Sequence, residues 1–236
     1  MEYHQSTYAG SVSREAYNLG LRTFMLRVYN YMAAALAFTG LIAYGVSTSE
    51  AAIQMIFGTP MVWVVVFAPL VLAITIQVKF QSFSLTTVQS LFWVYAALTG
   101  ISLSSIFLMY TGDSIARVFF ITASMFGAAS LYGYTTKRDL SPMAGFLFMG
   151  MIGILVASLV NLLLQSSQMS WIISIAAVGI FAGLTAYDNQ ALKQMHTEAW
   201  SHDHAEKMGV YGALMLYINF IAMFVHLLRL LGDRRS

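Results

Sequence analysis

Read as apolar and polar positions, the chain is seven long apolar runs separated by short polar interruptions, at approximately residues 28–46, 61–78, 88–109, 115–134, 143–164, 170–187 and 210–231. Each approaches the roughly 20 residues a helix needs to cross a hydrocarbon core of about 30 Å. A helix is favoured there because it satisfies its own backbone polar groups. The pattern predicts an all-α polytopic membrane protein, a seven-helix transmembrane bundle. Its connections are short, from about five to fourteen residues, except for a longer loop over 188–209. Residues 1–24 read as a polar N-terminal tail, 25–232 as the transmembrane domain and 233–236 as a short C-terminal tail. Pro69, in the middle of the second run, predicts a kink.

Composition narrows the class further. The 236 residues are 58% hydrophobic and 9% charged, with mean hydropathy +0.70. A soluble domain carries about 25% charged residues, so this chain lacks the polar groups to cover its own surface. With no cysteine, disulfides and thiolate metal sites are excluded. A net charge of +2 gives no case for nucleic acid. The first 24 residues lack the apolar core of a cleaved signal peptide, and the first apolar run is expected to act as the start signal.

Orientation follows from where Lys and Arg fall. With the N-terminus inside, the inner segments hold Arg14, Arg22, Arg27, Lys79, Lys137, Arg138, Lys193 and Lys207, and the outer loops hold only Arg117. Arg229, Arg234 and Arg235 fall at the C-terminal end, which seven crossings place outside, against the rule. Either that tail is outside despite its charge or the last run does not cross fully. Small residues mark expected close helix contacts: Gly179 with Gly183, Ala123 with Gly127, and Gly145, Gly150 and Gly153.

Ionisable groups within the apolar runs are few, and such groups are costly enough to be functional candidates. Arg27 and Arg117 lie near run ends, where snorkelling explains them. Asn30 and Asn161 read as interhelical hydrogen-bonding residues, and Ser102, Ser104 and Ser105 as residues bonding back to their own helix. Asp188 differs, because it closes the eighteen uncharged residues 170–187 while the helical pattern continues through "NQALKQM". At 1.5 Å per residue it lies about 10 Å from an inner helix end at Met195, and Asn219 lies about 14 Å into the next run from the same side. Two antiparallel neighbours thus bring a carboxylate and an amide to similar depth. A carboxylate taken out of water favours its neutral form. Protonated, Asp188 donates to the Asn219 carbonyl; ionised, it accepts from the amide or contacts a cation such as Ca²⁺. His226, seven residues beyond Asn219 and on the same face, is a secondary candidate pH sensor. His196, His202 and His204 with Glu198, Asp203 and Glu206 fit no strong metal-ligand spacing. No metal site or cofactor is expected.

At these residues the chain resembles the Bax inhibitor-1 family, the transmembrane Bax-inhibitor-motif proteins, in its bacterial branch. The resemblance runs from Arg22 to Gly232 and rests on "LTGISLSSIFLMYT" (98–111), "MFGAASLYGYTTKRDLS" (125–141), "GLTAYDNQALKQM" (183–195) and "YGALMLYINFIAMFVHLLRLLG" (211–232). It implies a bundle whose last helix is central and wrapped by the other six, and a pH-sensitive calcium leak governed by two aspartates sharing a proton. The first maps onto Asp188. The second falls on Asn219, in "LYINF", which departs from the family pattern. An arginine that some members place near the end of the second helix has no counterpart here, only Lys79. An Asp–Asn pair has one titratable group, so its pH response is expected to be shallower or shifted.

Three functional classes follow. The first is a passive pathway for Ca²⁺ or another cation in a lipid bilayer, in a bacterial inner membrane if the resemblance holds. The second is a regulator of membrane-protein quality control that binds a membrane protease through its polar tail. The third, an intramembrane hydrolase, lacks converging ligands beyond Asp188 and His226, so no enzyme is expected. A retinal protein is excluded because no run has a lysine near its middle.

Overall fold

The computed structural model describes residues 2–197 and 202–235. Its helices are α1 (Glu2–Ser47), α2 (Glu50–Phe57), α3 (Met61–Lys79), α4 (Leu85–Met109), α5 (Gly112–Thr135), α6 (Ser141–Leu164), α7 (Ser167–Thr197) and α8 (His202–Leu231), with a 3₁₀ turn over Phe80–Ser82. All except α2 are long and apolar enough to cross a membrane, α1 over Asn18–Ser47. The protein is an all-α, multi-pass integral membrane protein with seven candidate spans among the described residues.

Polar residues at the run boundaries start and stop the helices. Ser84 Oγ accepts from the Thr87 amide at the start of α4, and Thr111 Oγ1 from the Ser114 amide at the start of α5. Each hydroxyl satisfies an amide with no partner inside the helix. α6 begins with Pro142 in its first turn and ends at Gln165 in the left-handed region, φ 52°. The short α2, not expected from the apolar pattern, starts at Ser49, whose Oγ caps Ala52.

α8 lies at the centre, packed on α1, α4, α5 and α7, while α3 rests mainly on α4 and α6 on α7. Half of the most apolar stretch of α8 is buried, against 6% for α6, which packs on α7 along one side. Tyr217 sits mid-helix in α8 with no exposed surface. Its ring meets Phe92 and Tyr95 edge-on, and its hydroxyl pairs with Thr39 Oγ1 at 2.7 Å. Thr39 also donates to the Ala96 carbonyl, tying α1, α4 and α8 together. Between helices in lipid, packing and such hydrogen bonds take the place of the hydrophobic effect.

The structure amends several sequence expectations. The segment 188–209 is largely helix: α7 continues to Thr197 and α8 begins at His202. Polar ties hold these extensions, with Arg27 Nη1 3.0 Å from Glu206 Oε1 and Lys207 Nζ donating to the Gln81 carbonyl. Arg27 therefore pairs with an acid of α8, and Arg117 pairs with Asp233 at 2.8 Å; neither merely snorkels. Asn30 is on the exposed face of α1. Asn161 does join helices, donating to Ser170 Oγ at 2.6 Å, and Ser104 and Ser105 bond back to their own helix. Of the small-residue positions, Gly150 and Gly183 sit against Ile180 and Leu147, whereas a side chain at Gly127, Gly145, Gly153 or Gly179 would meet nothing within 4 Å. The closest helix approaches lie elsewhere: a Cβ at Gly133 would overlap the Ala186 carbonyl, and one at Gly100 would come within 2.8 Å of the Thr39 carbonyl.

The C-terminal segment returns to the α4–α5 connection. Tyr110 and Arg234 form an antiparallel bridge, the Thr111 amide donates to the Asp233 carbonyl at 3.1 Å, and the Arg235 amide to the Met109 carbonyl at 3.0 Å. α8 thus runs the full length of the bundle, and its end lies with the α4–α5 connection, opposite the α5–α6 connection. The tail therefore lies at the end of the bundle opposite Lys137 and Arg138 of the α5–α6 connection.

Candidate functional site

Asp188 and Asn219 face each other across the interface of α7 and α8. On α7, Phe181, Leu184, Asp188 and Leu192 recur at spacings of three or four and are all buried, which places them on one helical face. Leu192 lies in the notch of Gly212 on α8, where a Cβ would overlap its Cδ2. On the opposite side, the contact of Gly133 with the Ala186 backbone brings α5 equally close. Held from both sides, α7 presents Asp188 to α8 with little freedom. Asn219 Nδ2 donates to Asp188 Oδ2 at 2.7 Å, and the two residues are 5% and 4% exposed. The carboxylate and amide matched in depth from sequence are therefore in direct contact.

The pair suits a group that changes protonation. An ionised carboxylate accepts from the amide N–H₂; a protonated one donates to the amide oxygen after the amide rotates by half a turn. Either state keeps one hydrogen bond, so neither strands a buried polar atom, which costs about 1–3 kcal/mol.

Asn189, the next residue, was missed by sequence reasoning and is fully buried. One helical step turns it about 100° away from α8, toward α5 and α1. Its Oδ1 accepts from Tyr29 Oη at 2.5 Å, and its Nδ2 donates to Ser130 Oγ at 3.2 Å and to the Thr185 carbonyl at 2.7 Å. Tyr29 and Ser130 also line a groove of about 550 Å³ between α1 and α5. Polar contacts thus run from that groove to the residue beside Asp188, while Asp188 stays sealed. The available signal was the "DN" dipeptide itself, two polar neighbours on a helix that only a multi-sided packing can bury together.

His226 does not join the pair. Its Nδ1 lies 3.2 Å from Ser174 Oγ, fourteen residues before Asp188 and so about 21 Å away along α7. Ser174 donates its own proton to the Ser170 carbonyl, which leaves His226 Nδ1–H as the donor. The ring of His196 packs on Phe24 at 5.4 Å, and Glu206 is engaged by Arg27. Glu198 and the side chains of His202 and Asp203 lie outside the described residues, as do the tail's side chains up to residue 17. Among the described residues, no three His, Asp or Glu side chains converge as metal ligands. Lys79 is exposed at the end of α3, and Lys193 reaches the Tyr134 carbonyl at 2.6 Å on α5.

Against known proteins, a family model described as "Inhibitor of apoptosis-promoting Bax1" matches residues 21–236. The chain belongs to the Bax inhibitor-1 family. Among its relatives, a protein of Rickettsia prowazekii is 45% identical, with 99% of each chain covered. The inner membrane protein YbhL of Escherichia coli strain K12 is also 45% identical, over 92% of this chain and 94% of YbhL. A membrane protein of Streptococcus pyogenes serotype M3 is 33% identical, over 91% and 94%. The Bax inhibitor-1 match runs from residue 21, within the first span, through the other six, so the site lies within the shared part of the chain.

Proposed function

We propose that this Bax inhibitor-1 family protein is a passive, pH-responsive cation leak, with Ca²⁺ as the cation, gated by Asp188 with Asn219 as its amide partner. The carrying observation is the buried 2.7 Å hydrogen bond between them at the core of the bundle. In this arrangement the carboxylate is buried, 5% exposed, which we read as the closed state of the gate. Opening separates α7 from α8 and exposes Asp188, a hard oxygen ligand of the kind Ca²⁺ prefers. The hydrogen bond persists in either state, so it is the loss of the ligand's charge on protonation that lowers flux at low pH. Because Asn219 does not ionise, the response follows one carboxyl group and is shallower than that of a carboxylate pair. The reading is of a conduit and not a catalyst. The name of YbhL supports a bacterial inner membrane, and the Lys and Arg pattern supports a cytoplasmic N-terminus.

The test is Ca²⁺ flux into proteoliposomes of the full chain, scanned from about pH 5 to 8. Flux should rise with pH, lose its pH dependence in Asp188→Asn and gain a steeper dependence in Asn219→Asp. Removing the polar tail should leave it intact. Flux no greater than that of empty vesicles in all these proteins removes the leak and leaves a protease-binding regulator as the reading to pursue.

A further inference from the structure

The end of the bundle carrying the α6–α7 turn and the C-terminal segment contains a polar cavity of about 470 Å³, within the size range of small-molecule sites. Two guanidiniums line it from separate segments: Arg229 from the last turn of α8 and Arg234 from the segment beyond. The rest of its polar lining is amide and hydroxyl, chiefly Asn161, Gln165, Ser167 and Ser170, and no carboxylate lines it. We propose that this cavity binds a phosphate-class oxyanion, supplied either by a phospholipid headgroup or by free phosphate.

Charge balance is the first argument. Two cations lining one cavity repel each other, and both arginines are exposed at this end of the bundle, within reach of an anion from outside. Neither Arg229 nor Arg234 makes an ion pair among the described residues. The carboxylate nearest in sequence, Asp233, is drawn to Arg117 at 2.8 Å, and its amide donates to Ser114 Oγ. A lone arginine in the last turn of α8 would be explained by the helix dipole. A second arginine, entering the same cavity from a backbone pinned to the α4–α5 connection, is not.

The donor set is the second argument. Asn161 Nδ2 donates to Ser170 Oγ, which leaves the Ser170 hydroxyl proton available to a further acceptor. Asn161 Oδ1 already accepts from the Ser166 amide. Ser167 opens α7, adding the positive end of that helix. Gln165 holds the left-handed conformation that glycine adopts more readily, with its side chain on the cavity wall. Guanidiniums, hydroxyls and a helix start without a carboxylate match an oxyanion.

Full-length protein in zwitterionic detergent would be titrated with inorganic phosphate at constant ionic strength, following its unfolding midpoint. In parallel, protein in nanodiscs of phosphatidylcholine with phosphatidylglycerol would be analysed by native mass spectrometry for retained lipid. A shift with phosphate identifies a free oxyanion, and selective retention of phosphatidylglycerol identifies a headgroup. In either arm, Arg229→Gln and Arg234→Gln should each weaken binding about tenfold. Arg138→Gln, the same charge change at the other end of the bundle, should leave it unchanged. Equal binding in all variants, an equal loss in Arg138→Gln, or no binding by the native chain in either arm overturns the proposal. Should Arg229→Gln fail to fold, Arg234→Gln decides alone, because backbone contacts and not its guanidinium hold that segment.

Discussion

Asn219 is the side-chain donor to the buried carboxylate of Asp188. Truncating it by Asn219→Ala leaves Asp188 buried without its donor, at a cost of about 1–3 kcal/mol. The expected result is a lower unfolding midpoint in detergent at neutral pH, recovered partly in Asp188→Asn/Asn219→Ala, where no charge is left to strand. Asn219→Asp puts two carboxylates at hydrogen-bond distance, where they share one proton but resist ionising together. Its unfolding midpoint should therefore fall as pH rises through the neutral range, more steeply than that of the native chain. Equal slopes for the two proteins would show that the pair does not set the pH dependence of stability. Asp188 was legible in sequence because a charge ending an apolar run stands out. Asn189 was not, because its burial depends on α1 and α5 meeting α7 from a different side.

At the scale of helices, close packing is carried by fewer glycines than the spacing of small residues suggests. Gly133 lets α5 touch the α7 backbone beside the site, and a methyl group there would overlap the Ala186 carbonyl. Gly133→Ala should cost about 1–3 kcal/mol by overpacking and disturb Asp188 through Ala186. Gly179→Ala, with nothing within 4 Å of the added carbon, should leave the unfolding midpoint within the scatter of repeats. Thermal unfolding of the two variants side by side checks both statements, and similar losses would mean that the α5–α7 contact is not as tight as described. Period-based reasoning marks small-xxx-small pairs, but which of them faces a neighbour depends on the rotation of each helix about its axis. Seven spans allow many combinations of such rotations.

For the whole molecule, the unresolved matter in the sequence was the arginine-bearing end of the chain. Its backbone bridge to the α4–α5 connection takes α8 across the full bundle, and the cavity holding Arg229 and Arg234 gives those charges something to do there. A chain without cysteine is convenient for testing this topology. With single substitutions Thr59→Cys, Lys137→Cys and Arg235→Cys, a membrane-impermeant maleimide on intact cells should label the first and third and spare the second. Labelling of Arg235→Cys together with Lys137→Cys, to the exclusion of Thr59→Cys, would contradict a full crossing by α8.

The sequence by itself determined the seven spans, the all-α class, the family and the candidacy of Asp188 and Asn219. Each of these depends on the composition of a contiguous stretch or on depth along one helix, and both are properties of a single segment. The family resemblance already implied a central α8. Tertiary structure decided that it packs chiefly on α1, α4, α5 and α7 and not equally on all six, that Asp188 and Asn219 touch, and that Asn189 turns to α1 and α5. It also decided that helix continues through most of 188–209 and that Arg229 and Arg234 line one cavity with the α6–α7 turn. These depend on which faces of separate helices meet, and in a bilayer every outward face is apolar, so hydrophobic pattern alone does not distinguish a lipid-facing side from a packed one.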